Sequence, residues 1–197
     1  MVTFRDVETL EPGVWLDDRI IDFYLTYLHR EVLSVEDRER VHLFPTTFYG
    51  RLTSKRGQGS GKMTAAQRRH SNVARWTKNV NIFEKRLLLF PICEHGHWFT
   101  VVVILPGLVT QPSEKNKNGE PLLIILDSLD KTQATVERFI REYLAEEWAV
   151  RFSCETGKTF RFTAEELKAV RPEKPNQRNG YDCGIYLLHY VEKIFSR

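Results

Sequence analysis

The chain has 197 residues, 42% of them hydrophobic, with 29 Lys/Arg, 26 Asp/Glu and a net charge of +3. That length suffices for one domain, 1–197, with a sizeable buried core. Three scattered cysteines (Cys93, Cys154 and Cys183) exclude a disulfide framework and point to a reducing compartment, and the longest apolar runs, LLLFPIC and VVVIL, are far too short to span a bilayer.

In chain order, MVTFRDVETLEPG lacks the basic-then-apolar layout of a secretory signal. WLDDRIIDFYLTYLHREVL (15–33) reads as a helix capped by Asp17 or Asp18, with Ile20, Ile21, Tyr24, Leu25 and Leu28 at helical spacing. HLFPTTFYGRL (42–52) is a short apolar segment broken by Pro45. Residues 51–86 then hold ten Lys/Arg against one acid, Glu84, which leaves the rest of the chain acidic. This block suits contact with nucleic acid or an acidic protein. Its Gly/Ser/Gln content also reads as a solvated flexible segment, with 54–71 as a mobile loop.

Two strand-like runs follow, KRLLLFPIC and HWFTVVVILP, joined by a predicted turn at EHG. A polar insertion over 107–121 separates them from a buried-looking strand, LLIILD (122–127). TQATVERFIREYLAEEWAVR (132–151) is an amphipathic helix with Val136, Phe139, Ile140, Tyr143 and Leu144 on one stripe. Thr163 and Glu166 suit a capping box for a short helix, and Asp182 suits the N-cap of a last helix from Cys183 to about Phe195. Helix, strands, helix and helix in that order give an α+β fold.

Chemistry concentrates at Cys183. A thiol just inside a helix start faces unpaired backbone N–H groups and the positive end of the dipole, which favour the thiolate. Gly180 permits a tight turn before it, and Gly184 leaves room for a substrate backbone beside the sulfur; the alternative is a small buried core cysteine. A thiolate needs a base. His189 lies on the same helix about 240° round from Cys183 and faces elsewhere. His29 ends a helix, His70 sits in the polar loop, and His42 lies beside a turn. His97 opens a strand at the sheet edge, with His95 as runner-up. Asp127 ends LLIILD, where a carboxylate is costly without a partner; it is either the acceptor that orients His97 or a turn residue. A set of Cys, His and Asp is recognised by role and not by chain order. Cys93, His95 and His97 alternate as zinc ligands would, but Gly96 breaks the alternation and no fourth ligand stands out, so no metal is expected.

QRNGYDCGIYLL resembles the Q-x-N-G-x-D-C-G motif of the SUMO-specific (sentrin-specific, or Ulp) cysteine proteases. HWFTVVVIL, LLIILDSL and VWLDDRIIDFYLTYL resemble that family's histidine strand, aspartate strand and opening helix, in the same order along nearly the whole chain. The resemblance implies a papain-like α+β fold, with a central mixed sheet, flanking helices and the nucleophile at a helix N-terminus. It makes Cys183 the nucleophile, His97 the base, Asp127 its orienting partner and Gln177 the oxyanion-hole donor. Trp15 and Trp98 align with two tryptophans that roof a tunnel over the modifier's Gly-Gly. Asp18 aligns with a modifier contact, although Asp17 stands where the family usually has Asn, and Trp76 lies near the docking surface. The insertions at 54–71 and 107–121 resemble the branch that trims poly-SUMO chains.

The implied partners are SUMO and SUMO-conjugated proteins, with no cofactor and no membrane, on a monomer located in the nucleus and also the cytoplasm. The alternatives are a NEDD8-specific protease or an acetyltransferase of the same fold, and a non-catalytic SUMO- or nucleic-acid-binding module using residues 51–86.

Overall fold

The computed structural model describes residues 2–55, 63–109, 119–157 and 159–196. At its centre lie two long apolar strands. They are joined by His95 and Gly96, both at positive φ (52° and 72°). Consecutive left-handed residues form the turn whose twist matches an antiparallel pair. Here that turn sets Glu94 opposite His97. Around this hairpin a five-stranded mixed sheet runs in sequence order: β1 (Val41–Leu43), β2 (Leu87–Glu94), β3 (His97–Ile104), β4 (Leu122–Leu126) and β5 (Lys168–Val170). The three central strands are antiparallel, and β1 and β5 add parallel edges.

Both faces of the sheet are covered, which is why its strands read as continuous apolar runs. Leu88, Phe90, Ile92, Phe99, Val101, Val103, Leu123 and Ile125 pack on one side against α4 (Thr47–Leu52) and α6 (Ala134–Thr156), through Phe48, Leu52, Val136, Ile140, Tyr143 and Leu144. Leu89, Trp98, Val102 and Leu126 pack on the other against α2 (Asp18–Tyr27) and α7 (Cys183–Phe195), through Ile21, Leu25, Leu187 and Val191. Each such side chain, fully buried, contributes about 1.5–3 kcal/mol. The remaining helices are α1 (Phe4–Glu8), α3 (Val35–Arg40) and α5 (Ala65–Ser71), and a π-helical turn over Leu28–Val32 extends α2. Among the described residues no helix is long and apolar enough to cross a membrane.

Several expectations are corrected. The span 54–71 is not a mobile loop throughout: residues 65–71 form α5, which Thr64 and Gln67 start with a capping box. His70 on this helix is buried, with its Nε2 2.6 Å from Glu147 Oε2 on α6. Thr77 donates to the other oxygen of Glu147 at 2.6 Å. This buried network, to which Arg151 also donates, fixes the basic segment to the domain. Residues 56–62 of that expectation lie outside the described residues, as do 110–118 of the predicted insertion 107–121. Gly107, at its start, sits where a Cβ would fall 2.2 Å from the Phe83 carbonyl oxygen, so only glycine fits. Thr163 and Glu166 do exchange their reciprocal bonds, but these close one turn leading into β5 and no helix follows. The edge strands β1 and β5 were not evident as strands in the sequence.

Candidate active site

The β3–β4 register pairs Thr100 with Leu126, so Asp127 falls one step past the ladder, beside the start of β3. There His97 Nε2 donates to Asp127 Oδ1 at 2.6 Å, with both residues buried. The same oxygen accepts the Leu129 N–H at 2.9 Å, and Oδ2 accepts Gln133 Nε2 at 2.8 Å. Burial disfavours the Asp127 carboxylate, but the bonds from His97, Gln133 and Leu129 outweigh it and hold its pKa below the ordinary range.

With Nε2 committed to Asp127, the other ring nitrogen, Nδ1, is left for Cys183. Burial pulls the imidazole down, yet hydrogen bonds to Asp127 and Cys183 raise His97 to about 9. Burial likewise opposes the Cys183 thiolate. The His97 side chain and the backbone N–H groups of Trp98 and Gly184 overcome that penalty and lower the thiol's pKa. The two shifts run in opposite directions, imidazole up and thiol down, and both favour a thiolate–imidazolium pair at neutral pH.

The segment before Cys183 is shaped by Asn179. Its Oδ1 accepts the N–H groups of Tyr181 and Asp182 at 3.1 and 3.0 Å, and its Nδ2 donates to Asp182 Oδ2 at 2.7 Å. Asp182 therefore does not cap α7 with its side chain, contrary to expectation, and its backbone carbonyl accepts Tyr186 N–H at 3.0 Å. The first turn of α7 thus has no carboxylate cap, and the Gly184 N–H is among the groups that favour the Cys183 thiolate.

Two tryptophans tie three segments together at this place. Trp98, buried, donates its indole N–H to Leu16 O at 2.9 Å, and Trp15, 57% exposed, donates its own to Gly180 O at 2.8 Å. A side chain added at Gly96 would meet the Trp15 ring at 3.9 Å, so this ring stands beside the β2–β3 turn. The glycines serve differently from expectation. A Cβ at Gly184 would lie 3.0–3.3 Å from three Leu16 side-chain atoms, so this glycine admits Leu16 into the core and does not open space for a substrate. Gly180 has no positive φ and no crowding, and its contribution is the carbonyl that holds Trp15. Gly184→Ala is expected to destabilise the fold by about 1–3 kcal/mol through overpacking, read as a lower urea midpoint at unchanged m-value.

Gln177 is buried and firmly held. Its Oε1 accepts Ser128 Oγ at 2.6 Å, its Nε2 donates to Asn179 O at 2.7 Å, and its backbone N–H donates to Ser128 O at 3.2 Å. A carboxamide nitrogen has two hydrogens, so one donor remains after the bond to Asn179. Asp18, exposed, opens α2, and its charge reaches Cys93, whose thiol is raised by burial first and then by Cys183 and Asp18. It is Asp17, not Asp18, that caps the helix, accepting Ile20 N–H at 2.9 Å. Trp76 is 39% exposed, with its ring edge-on to the buried Phe48 of α4, centroids 5.6 Å apart. His95 occupies the turn while Cys93 and His97 lie on different strands, and among the described residues no three His, Cys, Asp or Glu form a ligand cluster. The roles of Ser128, Gln133 and Asn179 went unseen in the sequence. Ser128 and Asn179 fall within the LLIILDSL and Q-x-N-G-x-D-C-G stretches, which name them without giving them a role, and Gln133 lies in no motif at all.

Residues 14–197 match the Ulp1 protease family, C-terminal catalytic domain. The chain is 34% identical over 250 aligned residues to sentrin-specific protease 7 of Homo sapiens, covering 99% of this chain and 23% of that protein. It thus spans about a quarter of the length of the curated relatives it matches. A crystal structure of a de-sumoylating protease superposes with a TM-score of 0.77 at 23% identity, over 100% of this chain and 68% of that one. The Ulp1 protease domain solved in complex with Smt3, the yeast ortholog of SUMO, superposes with a TM-score of 0.63 at 25% identity, over 98% and 72%.

Proposed function

The chain belongs to the Ulp1 protease family, and on that premise we propose that it is a cysteine isopeptidase cleaving after the C-terminal Gly-Gly of SUMO. The observation that carries this reading is the 2.6 Å His97–Asp127 bond beside Cys183, a buried thiol with a lowered pKa at the start of α7. In this mechanism the Cys183 thiolate attacks the terminal glycine carbonyl and imidazolium His97 stands ready as the acid. Gln177 and backbone N–H groups at the helix start receive the oxyanion. Collapse expels the lysine amine with the proton from His97, leaving a thioester. Water, deprotonated by His97, then hydrolyses it and restores the thiolate. None of these steps requires a metal or an organic cofactor. In this reading Trp15 and Trp98, whose indoles donate to Gly180 O and Leu16 O, lie over the substrate's Gly-Gly, where a Cβ would meet an indole.

Removing one oxyanion donor typically lowers kcat by about 10²–10³. Gln177→Ala is expected to fall in that range with KM little changed, measured on a SUMO C-terminal amide. The pH profile follows from the two shifts. Activity requires the thiolate, present above the lowered Cys183 pKa, and the imidazolium, present below a His97 pKa of about 9. The rate is expected to hold through neutral pH and decline on the alkaline side near 9.

Poly-SUMO chains are the preferred substrate in this reading, supported by the 34% identity to sentrin-specific protease 7 across 99% of the chain. Asp18 and Trp76 serve as modifier contacts, the basic block of residues 51–86 supplies a weak contact to nucleic acid or an acidic protein, and the protein acts as a monomer in the nucleus. Comparing turnover of SUMO, NEDD8 and ubiquitin C-terminal amides tests the substrate class. Turnover of the NEDD8 amide alone would overturn it.

A further inference from the structure

We propose that Gln133 is a positioning residue for this reaction, acting through Asp127; the inference rests on the assignment of Cys183, His97 and Asp127 above. Gln133 stands at the start of α6, where its backbone carbonyl accepts Glu137 N–H at 2.9 Å, and its side chain turns back from the helix into the site. It is 8% exposed, and its Nε2 donates to Asp127 Oδ2 at 2.8 Å. Oδ1 already accepts His97 and Leu129, so Gln133 is the donor that holds the second oxygen. A buried carboxylate gripped on both oxygens has one orientation. Gripped on Oδ1 alone, it is free to turn about its Cβ–Cγ bond. It then supports the imidazolium less well, and the thiolate–imidazolium pair becomes less populated.

Leucine at this position keeps the bulk and removes the donor. Gln133→Leu is expected to lower kcat about tenfold with KM unchanged, the loss that follows from one well-made hydrogen bond to a charged group. It is also expected to slow alkylation of Cys183 by iodoacetamide near pH 6 several-fold, followed on the Cys183 peptide so that exposed Cys93 does not contribute. That second readout involves no SUMO, so it stands even if the substrate proves to be another modifier. In an Asp127→Ala background the same substitution should change the alkylation rate no further, because the carboxylate it holds is gone. Gln133→Glu supplies a rescue: its carboxyl donates to Asp127 only when protonated. Alkylation relative to the unsubstituted protein should therefore recover as pH falls through the pKa of the introduced group. An unchanged alkylation rate in Gln133→Leu, an undiminished effect in the Asp127→Ala background, or a Gln133→Glu deficit independent of pH would each overturn the proposal.

Discussion

Cys183→Ser is expected to lower kcat on a SUMO C-terminal amide by at least 10⁴-fold while leaving SUMO binding within a few-fold. Serine is nearly isosteric with cysteine, so the buried site beside Leu16 and Trp98 keeps its packing. What changes is acidity. The surroundings of Cys183 lower the pKa of a thiol, but an alcohol lies far beyond the reach of the same hydrogen bonds from His97, Trp98 and Gly184. The loss should therefore appear in kcat and not in KM, as expected when an interaction made only in the transition state is removed. Stopped assays with micromolar enzyme and a fluorogenic SUMO amide resolve this range. Binding of the substituted protein to intact SUMO, by calorimetry, separates chemistry from recognition.

Asp127→Ala carries the second large expectation, a fall in kcat on the order of 10³–10⁴. Three donors converge on this carboxylate: His97, Leu129 and Gln133. Truncation leaves the His97 Nε2–H without its acceptor and removes the charge that favours imidazolium. The raised His97 pKa should then drop toward or below its ordinary value, because burial is the largest opposing influence. The sign is testable by NMR titration of the His97 ring protons. The alkaline limb should move to lower pH in Asp127→Ala relative to the unsubstituted protein. The fold should survive, since neutral Leu129 and Gln133 donors are left unsatisfied at about 1–3 kcal/mol each.

How far the sequence reveals this site depends on which residues touch the chemistry and which act at one remove. The HWFTVVVIL and LLIILD strands, the His95–Gly96 turn and the Cys183–Phe195 helix follow from local pattern, because each is long, apolar and bounded by glycine or a charge. β1 and β5 do not, because three residues pairing in parallel at a sheet edge are specified by partners distant in sequence. α5 was hidden for a related reason. It has no large apolar side chain, and its place in the fold depends on burying His70 against Glu147, 77 positions away. Asp182 shows the opposite error: a good capping residue by type whose carboxylate is taken by Asn179. Gly184, chosen for openness in the sequence reading, is required by Leu16. Local chemistry thus located His97, Asp127 and Cys183 as candidates. It did not anticipate the Gln133, Ser128 and Asn179 contacts that hold them, because those arise only once α6, the 176–182 segment and the sheet edge come together.

The central claim is that Cys183, set against His97 and Asp127, attacks the terminal glycine of SUMO. The most direct test is a SUMO probe carrying a C-terminal electrophile, incubated with the protein and mapped by peptide mass spectrometry. A single adduct on Cys183, lost in Cys183→Ser and much slower with matched NEDD8 or ubiquitin probes, is the predicted result. Labelling at Cys93, or undiminished labelling of Cys183→Ser, would contradict it.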